Sequence, residues 1–262
     1  MSKPSRHTRR WLLSAVALAL SSYTVYTYAR PLWVPLYRQA TGARSVQDVQ
    51  RIYGDKAQAR LKPFFESAKA PYPPKSITLL AIKDEKKLEL WSEDNGERYF
   101  IRSYPIKAAS GITGPKLKQG DEQVPEGIYR LEYLNPNSLY HLSMKINYPN
   151  EFDREQARKE NRSNLGGDIF IHGKAVSIGC LAIGDPAIEE LFTLVAQIGI
   201  KNVKVIIAPS DARKHDLQPL ATNQRPWVKT LYQTIADAVQ PYQVFENIAA
   251  AEGSTPLMQK CH

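Results

Sequence analysis

Two side chains that can act as a base and a nucleophile, His172 and Cys180, lie eight positions apart in this sequence. A nearby imidazole can take the proton of a thiol and hold the thiolate in an ion pair, which lowers the pKa of the cysteine. Gly173 and Gly179 would let backbone N–H groups approach a bound carbonyl and form an oxyanion hole. Ser177 could hydrogen-bond the imidazole or a substrate amide. The pattern predicts a cysteine nucleophile with a histidine base.

Other interpretations of these residues remain open. A buried cysteine is commonly a small core residue, and a lone histidine is commonly structural. A zinc site could use His172, Cys180, Cys261 and His262, although their spacing matches no paired-ligand pattern. Cys180 could also form a disulfide with Cys261, which would disable the nucleophile. The enzyme hypothesis therefore predicts that these two cysteines are unpaired.

Two regular elements are expected to hold the reactive segment. The run from Asp168 to Ile171 is short, apolar and β-branched, so His172 should leave the end of a buried strand. Asp185 and Pro186 have the residue types of a helix N-cap and first helical position. The segment between them is thus predicted to connect a strand to a helix.

The segment His172-Gly173 followed by Ser177, Gly179 and Cys180 resembles the active-site motif of the L,D-transpeptidase (YkuD-type) catalytic domain family, in the short-spaced form of its YafK-like branch. The resemblance covers roughly residues 75 to 210, where four further stretches also match that branch. These are Gly114-Pro115-Lys116, Gly120-Asp121, Gln123-Val124-Pro125-Glu126-Gly127 and Leu134-Asn135-Pro136-Asn137-Ser138. The combination is much more specific than the His and Cys pair alone.

The resemblance implies a role for each matching residue. Cys180 corresponds to the nucleophile and His172 to the general base and acid, while Ser177 and Gly179 correspond to the residues that lead into the cysteine. Ile178 stands where better-known members of the family have a second histidine. The implied reaction is acyl transfer from a peptidoglycan stem peptide through a thioester on Cys180, with no metal and no organic cofactor.

The fate of that thioester is open. Transfer to an amine would make a peptidoglycan cross-link or attach an envelope protein, whereas transfer to water would make the chain an amidase that hydrolyses such links. A non-catalytic alternative is an envelope protein that binds peptidoglycan, with Cys180 in a structural role. The expected partners are stem peptides and, as acyl acceptor or leaving group, an envelope protein.

Composition narrows the class of protein. The chain has 262 residues, 43% of them apolar, and a formal net charge of +9. This length suits one main globular domain with extensions. The positive charge could favour nucleic acid, an anionic membrane or an acidic polymer. Since the sequence shows no recognition helix and no aromatic-basic module, nucleic acid is not an expected partner.

The amino-terminal residues predict where in the cell the protein is located. Basic residues up to Arg10 precede an uncharged, largely apolar stretch from Trp11 to Ala29, which is typical of an export signal. Residues 1–30 are therefore expected to be a cleaved signal peptide or an uncleaved membrane anchor. Either alternative places the rest of the chain in the periplasm or cell envelope.

The remaining chain is expected to divide into three regions. Residues 31–74 are expected to form a juxtamembrane piece with two short helices, the first ending at Gly54 and the second, after Asp55, interrupted near Pro63. Residues 75–210 form the catalytic domain, mainly β with flanking helices (α+β), a sandwich or partly open barrel of the L,D-transpeptidase type. Residues 211–262 hold a linker, a helix and a tail. His141 falls in a predicted strand over 139–146 and could bind substrate in the cleft.

Overall fold

The computed structural model describes residues 6–29, 32–34, 36, 42–177 and 179–243. Within these ranges one mixed sheet of eight strands is flanked by helices. The strands are β1 (Ser76–Ile82), β2 (Lys87–Asp94), β3 (Glu97–Pro105), β4 (Gly127–Asn135), β5 (Ser143–Ile146), β6 (Phe170–His172), β7 (Leu181–Ala182) and β8 (Val203–Ala208). The helices are α1 (Arg6–Tyr28), α2 (Val46–Ser67), α3 (Glu151–Lys159), α4 (Asp185–Ile198) and α5 (Val228–Val239).

The sheet follows the order β3-β2-β1-β8-β4-β5-β6-β7. Strand β1 is parallel to β8 and β6 is parallel to β7, while the other neighbours are antiparallel. Ala108, just after β3, forms a bridge with Ala182 of β7. The two ends of the sheet therefore meet. The expected fold class, mainly β with flanking helices, is confirmed, and of the two expected architectures the partly open barrel is the one found.

The central strands β1 and β8 are almost continuously apolar because helices cover both of their faces. On one face, Leu79 and Val205 belong to an apolar cluster that includes residues of α2 and α4. On the opposite face, Leu80 and Ile206 join a second cluster with residues of α5. Alternate residues of each strand thus enter different cores, which fixes the register of β1 against β8.

Helix α2 differs from the two short helices that were expected, and that prediction is wrong. The helix runs through both Gly54 and Pro63 without a break, and Ser45 caps it in a capping box with Asp48. Its buried residues recur every fourth or eighth position along one stripe: Val49, Ala57, Leu61 and Phe65. Packing of this stripe on the domain offsets the cost of one glycine and one proline.

The long helix also docks directly on α4. The side chain of Gln50 donates to the backbone oxygen of Thr193 at 2.9 Å. Arg60 forms an ion pair with the buried carboxylate of Glu190 at 2.8 Å. These contacts join residues far apart in the chain, so α2 packs against the same domain that carries the reactive segment.

Helix α1 covers most of the expected export segment. Among the described residues, no helix combines the length and the apolar character needed to cross a bilayer. The export signal stays a prediction.

Candidate active site

Strands β6 and β7 bring the histidine and the cysteine to one surface. They pair in parallel with Ile171 opposite Leu181 and His172 opposite Ala182. Extending this register by one residue sets Cys180 opposite Phe170, which shares a face with His172 by strand alternation. His172 and Cys180 both line a cavity of about 170 Å³. The two residues that the sequence singled out therefore line the same cavity.

The imidazole of His172 is held in one orientation. Its Nδ1 lies 2.6 Å from the backbone oxygen of Gly173. A carbonyl can only accept, so Nδ1 carries the proton and Nε2 of the neutral ring is left as an acceptor. The ring of Tyr140 lies against the imidazole with centroids 4.7 Å apart. His172 is 2% exposed, and this packing and hydrogen bond make it a pre-oriented base.

Burial favours the neutral forms of both reactive groups. It lowers the pKa of His172, an effect that the hydrogen bond to Gly173 partly offsets. It raises the pKa of the Cys180 thiol, and the nearby carboxylate of Asp168 adds to that shift. Both shifts disfavour the ion pair that the sequence suggested, because the imidazolium and the thiolate are the charged forms.

The Ser177 side chain forms hydrogen bonds with the backbone of Cys180. Its hydroxyl accepts a hydrogen bond from the Cys180 N–H at 2.9 Å and donates to the Cys180 carbonyl at 2.6 Å. These two bonds close a tight loop on both sides of the nucleophile. Ser177 therefore fixes the position of Cys180 rather than contacting the imidazole.

The backbone donors expected to form an oxyanion hole are already paired. The N–H of Gly179 donates to the Ser110 hydroxyl at 2.5 Å, and the N–H of Cys180 is taken by Ser177. The N–H of Gly173 donates at 3.1 Å to the carbonyl of the residue just before β5. In this conformation, no open oxyanion hole is formed by these three groups.

The two glycines of the segment are required for different reasons. Gly179 has a φ of +86°, a left-handed conformation that side chains rarely adopt. Gly173 has an ordinary φ, but a Cβ there would lie 2.7 Å from the backbone oxygen of Tyr140 and 2.7 Å from Asp185. Gly179 is thus required for its backbone conformation, and Gly173 is required because no side chain fits at its position.

An ion pair fastens the segment to helix α4. Asp185 accepts from the Lys174 N–H at 2.8 Å and pairs with the Lys174 ammonium at 2.6 Å. Burial alone would raise the pKa of Asp185, but these hydrogen bonds bring it below its ordinary value. The expected helix start at Asp185 is confirmed, although Gly184 occupies the N-cap position.

His141 is not among the residues that line the cavity with Cys180. Its Nε2 lies 2.9 Å from Glu189, and its ring meets the edge of the Tyr53 ring at a centroid distance of 5.2 Å. The predicted strand over 139–146 begins only at Ser143, and His141 sits in the preceding turn with a φ of +79°. The prediction that His141 lies within a strand is therefore wrong.

The cavity contains residues that the sequence analysis did not assign to a site. Its lining comprises Asn135, Ser138, Leu139, Tyr140, Ser143, Phe170, His172 and Cys180. Asn135 and Ser138 lie in a stretch that was recognised as similar to the family, and this was the available signal for them. Ser143 could be found only from the register of β5 against β6, and Tyr140 only from the turn that precedes β5.

Cys180 is partly exposed, and it forms no disulfide within the part of the chain that the structure describes. Cys261 and His262, which entered the alternative disulfide and zinc predictions, lie outside the described residues, as does Ile178. Those alternatives stay untested.

The domain is a curled, partly open barrel that carries His172 at the end of β6 and Cys180 directly before β7. The sequence matches the L,D-transpeptidase catalytic domain (YkuD) over residues 77–207, which is half of the chain. The chain belongs to the L,D-transpeptidase catalytic domain family, as the motif around Cys180 indicated.

Named relatives fall in the same group. The Escherichia coli (strain K12) protein "Putative L,D-transpeptidase YafK" is 36% identical over 138 residues, which is 51% of this chain and 54% of the relative. The chain thus spans about half the length of the curated relatives it matches.

Two solved structures are also similar. The helical cell shape determining protein Pgp2 from Campylobacter jejuni matches 52% of this chain and 48% of its own, with 24% identity and a TM-score of 0.43. L,D-transpeptidase 1 from Mycobacterium tuberculosis matches 50% of this chain and 61% of its own, with 13% identity and a TM-score of 0.30.

Proposed function

We propose that the chain is a cysteine acyltransferase of the cell envelope, which takes its acyl group from a peptidoglycan stem peptide. One observation carries this proposal. Cys180 and His172 share a cavity wall, and the hydrogen bond from Nδ1 to Gly173 leaves Nε2 of the imidazole able to accept a proton. Membership of the family supports the choice of an L,D-transpeptidase reaction.

The reaction starts from the neutral pair. Nε2 of His172 takes the thiol proton as Sγ of Cys180 attacks the carbonyl carbon of the stem peptide. The C–N bond then breaks, and Nε2 returns the proton to the departing amine, so that a thioester remains on Cys180. An incoming amine attacks that thioester, gives its proton to Nε2 and forms the new amide, while the thiolate takes the proton back.

The hydrolase alternative has an observation of its own. Cys180 is partly exposed, so that water can approach a thioester formed there. Attack by water instead of an amine would release an acid and make the chain an amidase of peptidoglycan cross-links or of protein–peptidoglycan links. Exclusion of water by bound acceptor would favour transfer.

The proposed place of action is the periplasm, reached through the export segment in residues 1–30. The proposed partners are stem peptides, together with an envelope protein as acceptor or leaving group. The basic residues before Trp11 and the uncharged stretch after it support export.

Mass spectrometry of defined stem peptides, incubated with the full chain with and without an added amine, tests the proposal. Amine-exchanged or cross-linked products that disappear in Cys180→Ala and fall steeply in His172→Ala would support acyl transfer. Cysteine-dependent cleavage alone would support the hydrolase. Unchanged products in Cys180→Ala would refute the cysteine mechanism, and peptide binding without any reaction would favour a binding protein.

A further inference from the structure

A turn supplies one wall of the cavity that contains His172 and Cys180. The turn comprises residues 136–141, which lie between β4 and β5. Three of its members line the cavity: Ser138, Leu139 and Tyr140. Tyr140 also packs its ring on the imidazole of His172. The shape of this turn therefore sets the surroundings of the proposed base.

Arg44, which precedes helix α2, joins the two ends of this turn. Its Nη2 donates to the carbonyl of Pro136 at 2.6 Å and to the carbonyl of His141 at 3.2 Å. This nitrogen carries two hydrogens, so both bonds can form at once. Hydrogen bonds from a charged donor are roughly twice as strong as neutral ones. The residues that line the cavity lie between these two points of attachment.

The backbone of Arg44 is attached to the same turn. Its N–H donates to the side-chain oxygen of Asn137 at 2.9 Å, and the side-chain amide of Asn137 donates to the Arg44 carbonyl at 2.7 Å. Arg44 is half-buried, and hydrogen bonds are stronger where water is partly excluded. Four hydrogen bonds thus connect Arg44 to a turn that lies 92 to 97 positions further along the chain.

One residue of the turn has a conformation that needs support. His141 has a φ of +79°, in the left-handed region that side chains rarely adopt. Such conformations persist where the surrounding contacts hold them. The hydrogen bond from Arg44 to the His141 carbonyl is one such contact, and the bond between Nε2 of His141 and Glu189 is another. Since Tyr140 directly precedes His141, the placement of the Tyr140 ring depends on these contacts.

We infer that Arg44 is a positioning residue of the active site: it holds the turn over residues 136–141 so that the Tyr140 ring stays on the imidazole of His172. The inference rests on the proposed acyl transfer for its effect on rate. Arg44 lies outside residues 77–207, which match the family, and it is not among the residues that line the cavity. The segment before α2 therefore acts on the site from outside the matched domain.

Loss of the Arg44 side chain should change the environment of His172. Burial lowers the pKa of His172, and the Tyr140 ring covers part of the imidazole. A turn that is no longer held would admit water to the imidazole, so its pKa should rise towards the ordinary value of 6.5. The titratable groups beside the imidazole and the charged groups that act on the thiol all stay in place in Arg44→Ala; these are Cys180, Tyr140, Asp168 and Lys116.

NMR titration of ring-labelled histidine in the full chain tests the inference without a substrate. The His172 signal is identified by its absence in His172→Ala. Arg44→Ala should move the titration midpoint of His172 upwards. Asn137→Ala should move it in the same direction, because it breaks the other half of the attachment with no change in charge. If Arg44→Ala does not fold, Asn137→Ala decides the question alone.

The rate of acyl transfer is the second measurement. Arg44→Ala should lower kcat/KM roughly tenfold, the effect of losing one hydrogen bond from a charged group. Arg51→Ala is the matched control, since Arg51 is 78% exposed and pairs with Asp48 of its own helix. It removes the same charge and should change neither the His172 titration nor the rate.

Three results would overturn the positioning role: no shift in Asn137→Ala, an equal shift in Arg51→Ala, or a shift in Arg44→Ala without any loss of rate. The first two would assign the effect to charge alone, and the third would mean that the turn does not matter for the reaction. If the unmodified protein turns over no stem peptide, the proposed acyl transfer is refuted, while shifts in Arg44→Ala and Asn137→Ala would still support the contact that Arg44 maintains between Tyr140 and His172.

Discussion

Replacement of Gly173 by alanine should damage both the stability and the chemistry of the site. A Cβ at this position would lie 2.7 Å from the backbone oxygen of Tyr140, 2.7 Å from an Asp185 oxygen and 3.1 Å from Cβ of His141. The Asp185 side chain can rotate away, but the Tyr140 carbonyl belongs to the backbone. Tyr140 also packs on the ring of His172, so any shift that relieves the contact moves one wall of the site.

The magnitude follows from the type of contact. Forcing extra atoms into a well-packed interior typically costs about 1–3 kcal/mol. Because the carbonyl of Gly173 accepts the Nδ1 hydrogen bond of His172, displacement of this residue also disturbs the orientation of the base. Gly173→Ala should therefore lower the free energy of unfolding by about 1–3 kcal/mol and reduce acyl transfer beyond the loss of folded protein.

Gly167→Ala is the matched control. A Cβ at Gly167 would meet nothing within 4 Å, and its φ is not in the left-handed range. Replacing such a glycine usually stabilises a protein by about 0.4–1 kcal/mol through the unfolded chain. Urea unfolding of both variants, with acyl transfer measured on the same preparations, gives the comparison. Equal stability of the two variants would refute the steric argument for Gly173.

Three further predictions concern the reactive segment. Ser177→Ala should lower the rate of acyl transfer while the Cys180 thiol stays present, because each of the two lost hydrogen bonds is worth about 0.5–1.5 kcal/mol. A thiol titration, run beside the activity assay, checks this prediction. Unchanged activity would contradict it. Because burial lowers the pKa of His172, activity should persist below the ordinary histidine pKa of 6.5 and fall only at lower pH. Because burial raises the pKa of Cys180, the pH midpoint of Cys180 alkylation should lie above the ordinary cysteine value of 9.0. An alkylation midpoint below that of the urea-unfolded protein would refute the effect of burial on the thiol. Asp185→Asn should lower the free energy of unfolding by about 1 kcal/mol at neutral pH. Because Lys174 depresses the pKa of Asp185, the stabilisation by this ion pair is present above the ordinary aspartate pKa of 3.8 and is lost as the pH falls through the folded-state pKa. A stability difference between the two proteins that does not shrink in acid would count against the ion pair.

The sequence predicted those parts of the site that depend on local pattern. The apolar run before His172 indicated a buried strand, and the glycines marked a tight return to Cys180. The same reasoning predicted a mainly β domain, since the short apolar runs at β1 and β8 can be read directly from the sequence. These predictions succeed because each one uses a few neighbouring residues.

Features that depend on distant contacts were not predicted. Gly54 and Pro63 read as helix breaks, yet the stripe from Val49 to Phe65 continues through them because α4 supplies a packing partner. The cysteine pKa was expected to fall, but its direction depends on desolvation by residues remote in the chain. His141 was expected within a strand over 139–146, but the strand begins only at Ser143, and His141 itself has a left-handed φ of +79°.

Burial of the reactive pair would affect the reactivity of Cys180 in an oxidising compartment. Oxidation and alkylation of a cysteine both follow its thiolate character. Burial raises the pKa of the Cys180 thiol and so disfavours the thiolate that such reagents attack. In the proposed reaction, a bound stem peptide supplies the carbonyl that makes proton transfer to Nε2 of His172 productive, and the same Nε2 then protonates the departing amine. The hydrogen bond to Gly173, which keeps Nε2 free to accept, would therefore link formation of the nucleophile to the presence of substrate.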